Sequence, residues 1–310
     1  CAAPTETPTP SPDVTATFTP TGEPTVTPLP TDTPIPTATS TPIPPSPTPD
    51  PPRANTPDLS KLGAGWAVFS YTLPAGEDLG NIAARYGLSY DQIRAANGFV
   101  GGETLYPGQV ILIPQVIKQA GPSFKIIPDN EAVYGPGVIG FDMLSFVALS
   151  PDGYLNKYSE MVDGIPVSGA ALIQRAAENY SVNPRLLLAL LEYQSGWLTQ
   201  SDPTEKLYPF GRAEGGTEGL YRQLQWAANA INRGFYEWRD GSLSLLILSD
   251  GTRVGIDPGL NAGTAAAQYV FALTRKANNW QTAVGPVGLY QTYSNLFGYP
   301  FAYAVEPLAP

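Results

Sequence analysis

The stretch from residue 71 to residue 114 reads YTLPAGEDLGNIAARYGLSYDQIRAANGFVGGETLYPGQVILIP and carries the clearest structural pattern of the chain. Apolar residues recur in it with the i, i+3, i+4, i+7 spacing of a short amphipathic helix: Leu79, Ile82, Ala83 and Tyr86. Asp78 is placed to cap the first turn of this helix, and Gly87 to end its last turn in a left-handed conformation.

Signals for a second helix and two strands surround that first helix. Ser89, with Gln92 three residues later, predicts a capping box at the start of a second helix. Extended apolar runs at 68–72 and 110–113 lie before and after the two helices. The stretch therefore predicts a small βααβ unit.

The order of these blocks resembles a LysM domain, which we place at residues 66–115. Members of that family bind chains of N-acetylglucosamine units, as in peptidoglycan or chitin, in a shallow groove between two loops. The resemblance implies that one loop lies at 75–79, and that the other combines 97–98 with 105–109.

The resemblance also implies which residues bind the glycan. Backbone groups of the loops would contact the acetamide, while Leu79, Leu105 and Tyr106 offer apolar surface to the sugar. The chain departs from the family at Glu77 and Asp78, where Asp and Thr are usual. A role in turns alone is the alternative for the glycines and the proline. The implied glycan-binding residues are Ala75, Gly76, Glu77, Asp78, Leu79, Asn97, Gly98, Leu105, Tyr106, Pro107 and Gly108.

Residues 1–57 are rich in proline and threonine and poor in large apolar side chains. Because such a segment has little to bury, we expect a disordered tether there. The single cysteine, Cys1, resembles the first residue of a processed bacterial lipoprotein, which implies lipidation at Cys1 and membrane contact through the lipid. A stray cysteine is the alternative. No later apolar run approaches the roughly 18 residues needed to cross a bilayer.

The composition excludes several classes of function. The chain has 310 residues and a formal charge of −10, and it has no basic cluster that would favour nucleic acid. It contains no histidine, which removes Ser-His-Asp and Cys-His catalysis and ordinary zinc sites. We therefore expect no cofactor and no metal site, and any catalysis must use carboxylates, as glycoside chemistry does.

The remainder of the chain divides into a connecting region and a helical region. Residues 116–164 alternate short apolar runs with turn signals, which predicts a connecting region with short strands. From 165 to 303 the pattern is helical. The predicted helices are 170–180, one that starts at Pro184, 220–233, 261–277 and 289–297.

This helical region resembles the lysozyme-like fold of lytic transglycosylases in three short blocks. They are ALLEYQSGW at 189–197, EGLYRQ at 218–223 and DPGLNAGT at 257–264. The predicted fold class is therefore multidomain α+β, with a disordered Pro/Thr tether, a small βααβ LysM module and a mainly α-helical, lysozyme-like C-terminal domain.

The resemblance places Gln194 where that family has its catalytic Glu. An amide has no acidic proton to give to a glycosidic oxygen, so no residue is assigned as catalytic. Glu192 is two residues away, about 200° around the helix, and therefore points to another face. Glu214 and Glu218 lie in a Gly-rich segment that would be near the cleft of this fold. These three carboxylates are the candidates for a displaced catalytic group.

These observations predict an extracytoplasmic lipoprotein that reaches into the cell wall and binds peptidoglycan through its LysM module, beside a lysozyme-like domain without activity. One alternative is a glycosidase or lytic transglycosylase that uses a displaced carboxylate. Another is a scaffold for a partner wall hydrolase, since similar helical regions precede lysostaphin-type zinc endopeptidase domains. Such an endopeptidase needs histidine ligands, which these residues lack.

Overall fold

The computed structural model of the protein describes Leu62 and residues 65–117 and 119–302. All of these residues belong to one compact unit, Pro49–Pro310. The predicted tether at 1–57 and the predicted lipid site Cys1 lie outside the described residues.

The first part of the described chain is the predicted βααβ unit. Strands β1 (Trp66–Thr72) and β2 (Val110–Val116) form an antiparallel two-stranded sheet in which Trp66 pairs with Val116. Between them lie α1 (Leu79–Tyr86) and α2 (Tyr90–Asn97). We call residues 66–116 the LysM module.

Both predicted helix starts and the first helix end are confirmed. Asp78 accepts a hydrogen bond from the backbone N–H of Asn81 at 2.8 Å, and Gly87 ends α1 with φ 66°. Ser89 accepts from the backbone N–H of Gln92, whose side chain accepts in return from the N–H of Ser89, which is a complete capping box.

The segment 116–164 is more helical than predicted. It contains α3 (Asp129–Ala132), α4 (Met143–Ala148), α5 (Tyr154–Lys157) and a 3₁₀ turn at Pro136–Val138, and only β3 (Ser159–Val162) is a strand after the end of β2. The expectation of short strands is therefore wrong for most of this segment. The reason is tertiary, because its buried side chains belong to the same apolar core as the helices that follow: Ile126, Met143, Val147, Leu155 and Val162.

The rest of the chain completes that core. Its elements are β4 (Ile165–Ser168), α6 (Gly169–Tyr180), α7 (Pro184–Ser195), α8 (Leu220–Arg239), β5 (Leu245–Ile247), β6 (Arg253–Gly255), α9 (Ala262–Thr274), α10 (Ala277–Ala283) and α11 (Leu289–Phe297). β3 pairs with β4, and β5 with β6, as two antiparallel hairpins. We call residues 119–302 the body.

Two of these helices end away from their predicted positions. α8 continues six residues past 233, and Gly234 inside it lies against α9, where a Cβ would be 2.8 Å from the Cα of Ala266. α9 ends at Thr274, since Arg275 is extended (φ −119°, ψ 146°) and a separate helix starts two residues later.

The LysM module is fixed to the body through β1. The N–H and C=O of Val68 bond to the hydroxyl and N–H of Ser244, at 3.0 and 2.9 Å. Two residues further, the hydroxyl of Ser70 donates to Glu237 at 2.7 Å and accepts from Arg233 at 2.8 Å. The module and the body are thus joined by backbone and side-chain bonds.

Candidate glycan-binding site

The two predicted groove loops of the LysM module lie next to each other. The N–H of Leu73, which follows β1 and precedes the first loop by two residues, donates to the C=O of Gln109 at 2.9 Å. The N–H of Gly108 donates back to the C=O of Leu73 at 2.8 Å. This reciprocal pair holds the two loops in fixed register.

The second loop turns on the sequence Tyr-Pro-Gly-Gln. Its first and last residues are joined by a 3.0 Å bond from the N–H of Gln109 to the C=O of Tyr106, and Gly108 has φ +83°. Proline at the second position and a glycine with positive φ at the third are the requirements of a type II turn. The side chain of Gln109 accepts from the N–H of Tyr106 at 3.1 Å, which stiffens the turn.

The first loop is held by a charged network that the sequence analysis missed. Glu77 forms an ion pair with Arg85 and accepts a 2.5 Å hydrogen bond from the hydroxyl of Tyr71. That hydroxyl also accepts from Arg85 at 2.8 Å. The bond to Glu77, followed by burial, raises the pKa of Tyr71. The carboxylate of Glu77 is therefore committed to its own module, and Gly76 makes the turn beside it with φ +79°.

Two predicted residues are buried, which leaves their side chains out of reach of a ligand. Leu79 packs in the apolar core of the module, so the apolar contact expected from its side chain is corrected. Asn97 donates to the C=O of Ile93 and exchanges bonds with the N–H and C=O of Leu112, each at 2.7 Å. Asn97 thus joins α2 to β2.

The remaining predicted residues form the accessible part of the site. Gly98 and Leu105 are half-buried, and Tyr106 is 62% exposed. Val100, 92% exposed in the loop between α2 and β2, is an apolar side chain that the sequence analysis did not single out. The exposed positions of the predicted set are Ala75, Gly76, Asp78, Tyr106, Pro107 and Gly108.

In the body, Gln194 connects two segments of the fold. Its amide nitrogen donates to the C=O of Phe210 at 3.2 Å, and its oxygen accepts from the guanidinium of Arg275. Arg275 in turn lies over the ring of Tyr193, 5.1 Å from its centroid. An amide suits this position because it supplies a donor on one side and an acceptor on the other.

The three candidate carboxylates are each engaged within their own segment. Glu192 accepts from the N–H of Leu198 at 2.8 Å and from the N–H and hydroxyl of Thr199, so it fixes the chain after α7. Glu214 forms an ion pair with the neighbouring Arg212.

The third of these carboxylates, Glu218, accepts from the N–H of Gly216 and the hydroxyl of Tyr208, both at 3.1 Å. Backbone donors, followed by the bond from Tyr208, lower the pKa of Glu218. A lowered pKa favours the ionised form, whereas a general acid must hold a proton near the working pH. Among the described residues, the groups that bond to the side chain of Gln194 are the C=O of Phe210 and the guanidinium of Arg275, and neither is a carboxyl group.

Within 65–117 and 119–302, no group of three or more His, Cys, Asp or Glu side chains could hold a metal ion. Among the helices of the same residues, none is long and apolar enough to cross a bilayer.

Comparison with known proteins gives two family matches. Residues 71–114 match the LysM domain, and residues 125–308 match the family described as LasA, N-terminal domain. Two curated relatives, both Protease LasA from strains of Pseudomonas aeruginosa, are 28% identical over 180 and 182 residues. These alignments cover 58% of this chain but 39% of each relative. No solved structure matches.

Proposed function

The chain belongs to the family of LasA N-terminal domains, and from that membership together with its LysM domain we propose that it is an extracytoplasmic, wall-associated protein. In this proposal the LysM groove binds N-acetylglucosamine-containing glycan such as peptidoglycan. The body then accompanies or positions protease chemistry directed at the same wall.

The observation that carries the glycan proposal is the pairing of the two groove loops. Backbone bonds from Leu73, just before the first loop, to Gly108 and Gln109 of the second loop hold the bases of the two loops together before any ligand arrives, which lowers the entropy cost of binding. The exposed turn offers Tyr106 as an apolar face for the sugar.

The role of the body is inferred from its relatives. They are named as proteases, yet the alignments span well under half of their length, and the 310 residues contain no histidine. We therefore assign no protease activity to these residues. We infer that a protease domain, on the same or another chain, is the partner wall hydrolase that the body serves.

A glycosidase or transglycosylase activity is the second candidate. It needs a proton donor near the cleft, but Gln194 bridges Phe210 and Arg275, and Glu218 has a lowered pKa. If the body is lysozyme-like in fold, as three sequence blocks suggest, we propose that it is a degenerate member without cleavage activity. Release of muropeptides that disappears in Glu192→Gln, Glu214→Gln or Glu218→Gln would establish the enzyme instead.

Lipidation of Cys1 is a separate proposal that rests on the sequence alone. It predicts that the native protein partitions into detergent and that Cys1→Ala releases it from the membrane. An unmodified thiol in the N-terminal peptide, measured by mass spectrometry, would contradict it.

The test of glycan binding compares two tyrosines of the LysM module in the full chain. Tyr106 lies in the groove turn, and Tyr90, 48% exposed at the start of α2, is a matched control. We expect saturable binding of chitohexaose by calorimetry and sedimentation with peptidoglycan. Tyr106→Ala should weaken both about tenfold, the loss of one good aromatic contact, while Tyr90→Ala leaves them unchanged. No saturable response at millimolar chitohexaose would contradict the proposal.

A further inference from the structure

A cavity of about 500 Å³ opens in the body, away from the LysM module. One wall is aromatic: the ring of Phe297 lies 5.0 Å from that of Phe146 and 5.7 Å from that of Phe141. All three rings are half-buried, and Tyr299, 61% exposed, extends this wall to the surface.

The cavity lining also includes the largely buried carboxylate of Glu131, which bonds to its neighbours through one oxygen. Glu131, its side chain 7% exposed, accepts at Oε2 from the hydroxyl of Tyr293 at 2.6 Å and from the amide of Asn183 at 3.0 Å. Arg185 reaches the same oxygen at 3.5 Å. No hydrogen bond to the other oxygen, Oε1, occurs among the described residues, and Oε1 is not one of their fully buried polar atoms without a partner, so a water or a ligand hydroxyl can reach it.

The charge of this lining selects the kind of ligand. The positive charge of Arg185 balances Glu131, and its guanidinium is also held over the ring of Phe141 at 5.0 Å. The cavity lining therefore has no net charge. A phosphate ligand would need more cationic than anionic side chains in the lining, and an ammonium ligand would need more carboxylates than cations. Because the lining has one of each, a neutral ligand is favoured. It must combine hydroxyl donors with an apolar face.

We propose that this cavity is a second saccharide subsite, which takes a neutral pyranose unit with a hydroxyl on Glu131 Oε1 and its C–H face against the aromatic wall. The choice of wall glycan as the source of that sugar rests on the function proposed above.

The experiment uses methyl-labelled leucine in the full chain and chitohexaose as the probe. Leu296 lines the cavity, and Leu105 lies in the groove loop, so each site has its own signal. We expect both signals to shift and saturate. Tyr299→Ala should weaken the response of Leu296 about tenfold without changing that of Leu105. Tyr236→Ala, a half-exposed tyrosine that does not line the cavity, is the matched control and should change neither.

Each other outcome separates the two proposals. A shift of Leu105 with no shift of Leu296 overturns the subsite and leaves the LysM proposal standing. A shift of Leu296 alone supports the subsite and contradicts glycan binding in the groove. A Leu296 response that vanishes in Tyr106→Ala, or that persists unchanged in Tyr299→Ala, overturns the subsite, because the shift is then transmitted or arises elsewhere.

Discussion

The LysM module and the body hold their polar side chains in place by different means. In the module most bonds are local, since Asp78 caps the helix that follows it and Gln109 bonds within its own turn. In the body, Glu131 bonds to Asn183 and Tyr293, which are 52 and 162 residues away. The stability of the body therefore depends on contacts between distant segments, whereas the groove of the module is set mainly by its own turns.

The largest expected effect tests the long-range network of the body. Glu131→Ala removes the acceptor for Tyr293, Asn183 and Arg185 and leaves an uncompensated charge near the core. We expect the free energy of unfolding to fall by about 3–5 kcal/mol, measured by denaturant titration. Glu178→Ala, at an exposed position of α6, is the matched control and should stay within about 0.5 kcal/mol. A loss of less than about 1 kcal/mol for Glu131→Ala would show that the network contributes little.

The next effect tests Asn97, a fully buried polar side chain of the module. Asn97→Ala leaves the N–H and C=O of Leu112 without partners, which should cost about 2–3 kcal/mol. Hydrogen exchange should show lost protection across residues 66–116 while the body stays protected. Asn81→Ala, which removes only an exposed bond to Asp78, is the control. Loss of protection in both regions alike would mean that module and body unfold as one unit.

The same difference explains what could be predicted from the sequence. The capping residues, the two turns and the βααβ order of the module follow from local rules, so their positions could be predicted. In the groove, the resemblance gives Leu79 and Asn97 as glycan-binding residues, whereas both side chains are buried, because their burial depends on how α1 and α2 pack against β2. The ion pair joins Glu77, just before α1, to Arg85 in the last turn of α1, and no short sequence motif predicts this pair.

The body shows the limit of local rules more clearly. The segment 116–164 has turn signals that predict strands, yet α3, α4 and α5 form there because their apolar side chains complete a core made mostly by later helices. Gly234 lowers the helix propensity of the local sequence, but it lies inside α8, where close contact with α9 leaves no room for a Cβ. Neither the helices in 116–164 nor the continuation of α8 through Gly234 can be predicted from the neighbouring sequence alone.

A smaller effect tests the interpretation of Gln194. Gln194→Glu places a carboxyl group beside the positive charge of Arg275, which would lower the pKa of that carboxyl group. The substitution also removes the donor to the C=O of Phe210. We expect no muropeptide release from peptidoglycan and a change of about 1 kcal/mol in unfolding free energy. Gln291→Glu, at an exposed position of α11, controls for the added charge. Appearance of 1,6-anhydro products in Gln194→Glu alone would show an intact catalytic cleft.

The smallest effect concerns the charged network at the first groove loop and its dependence on pH. The pKa of Tyr71 is raised chiefly because its hydroxyl donates to Glu77, so folding favours the neutral phenol. This contribution to stability is complete below the unfolded pKa of about 10 and is lost as pH rises through the raised folded value. Tyr71→Phe should lower stability at neutral pH by at most about 1 kcal/mol and should flatten the fall in stability above pH ~10. Unfolding curves for variant and wild type that stay parallel through this alkaline range would show that the bond from Tyr71 to Glu77 does not contribute to holding the loop.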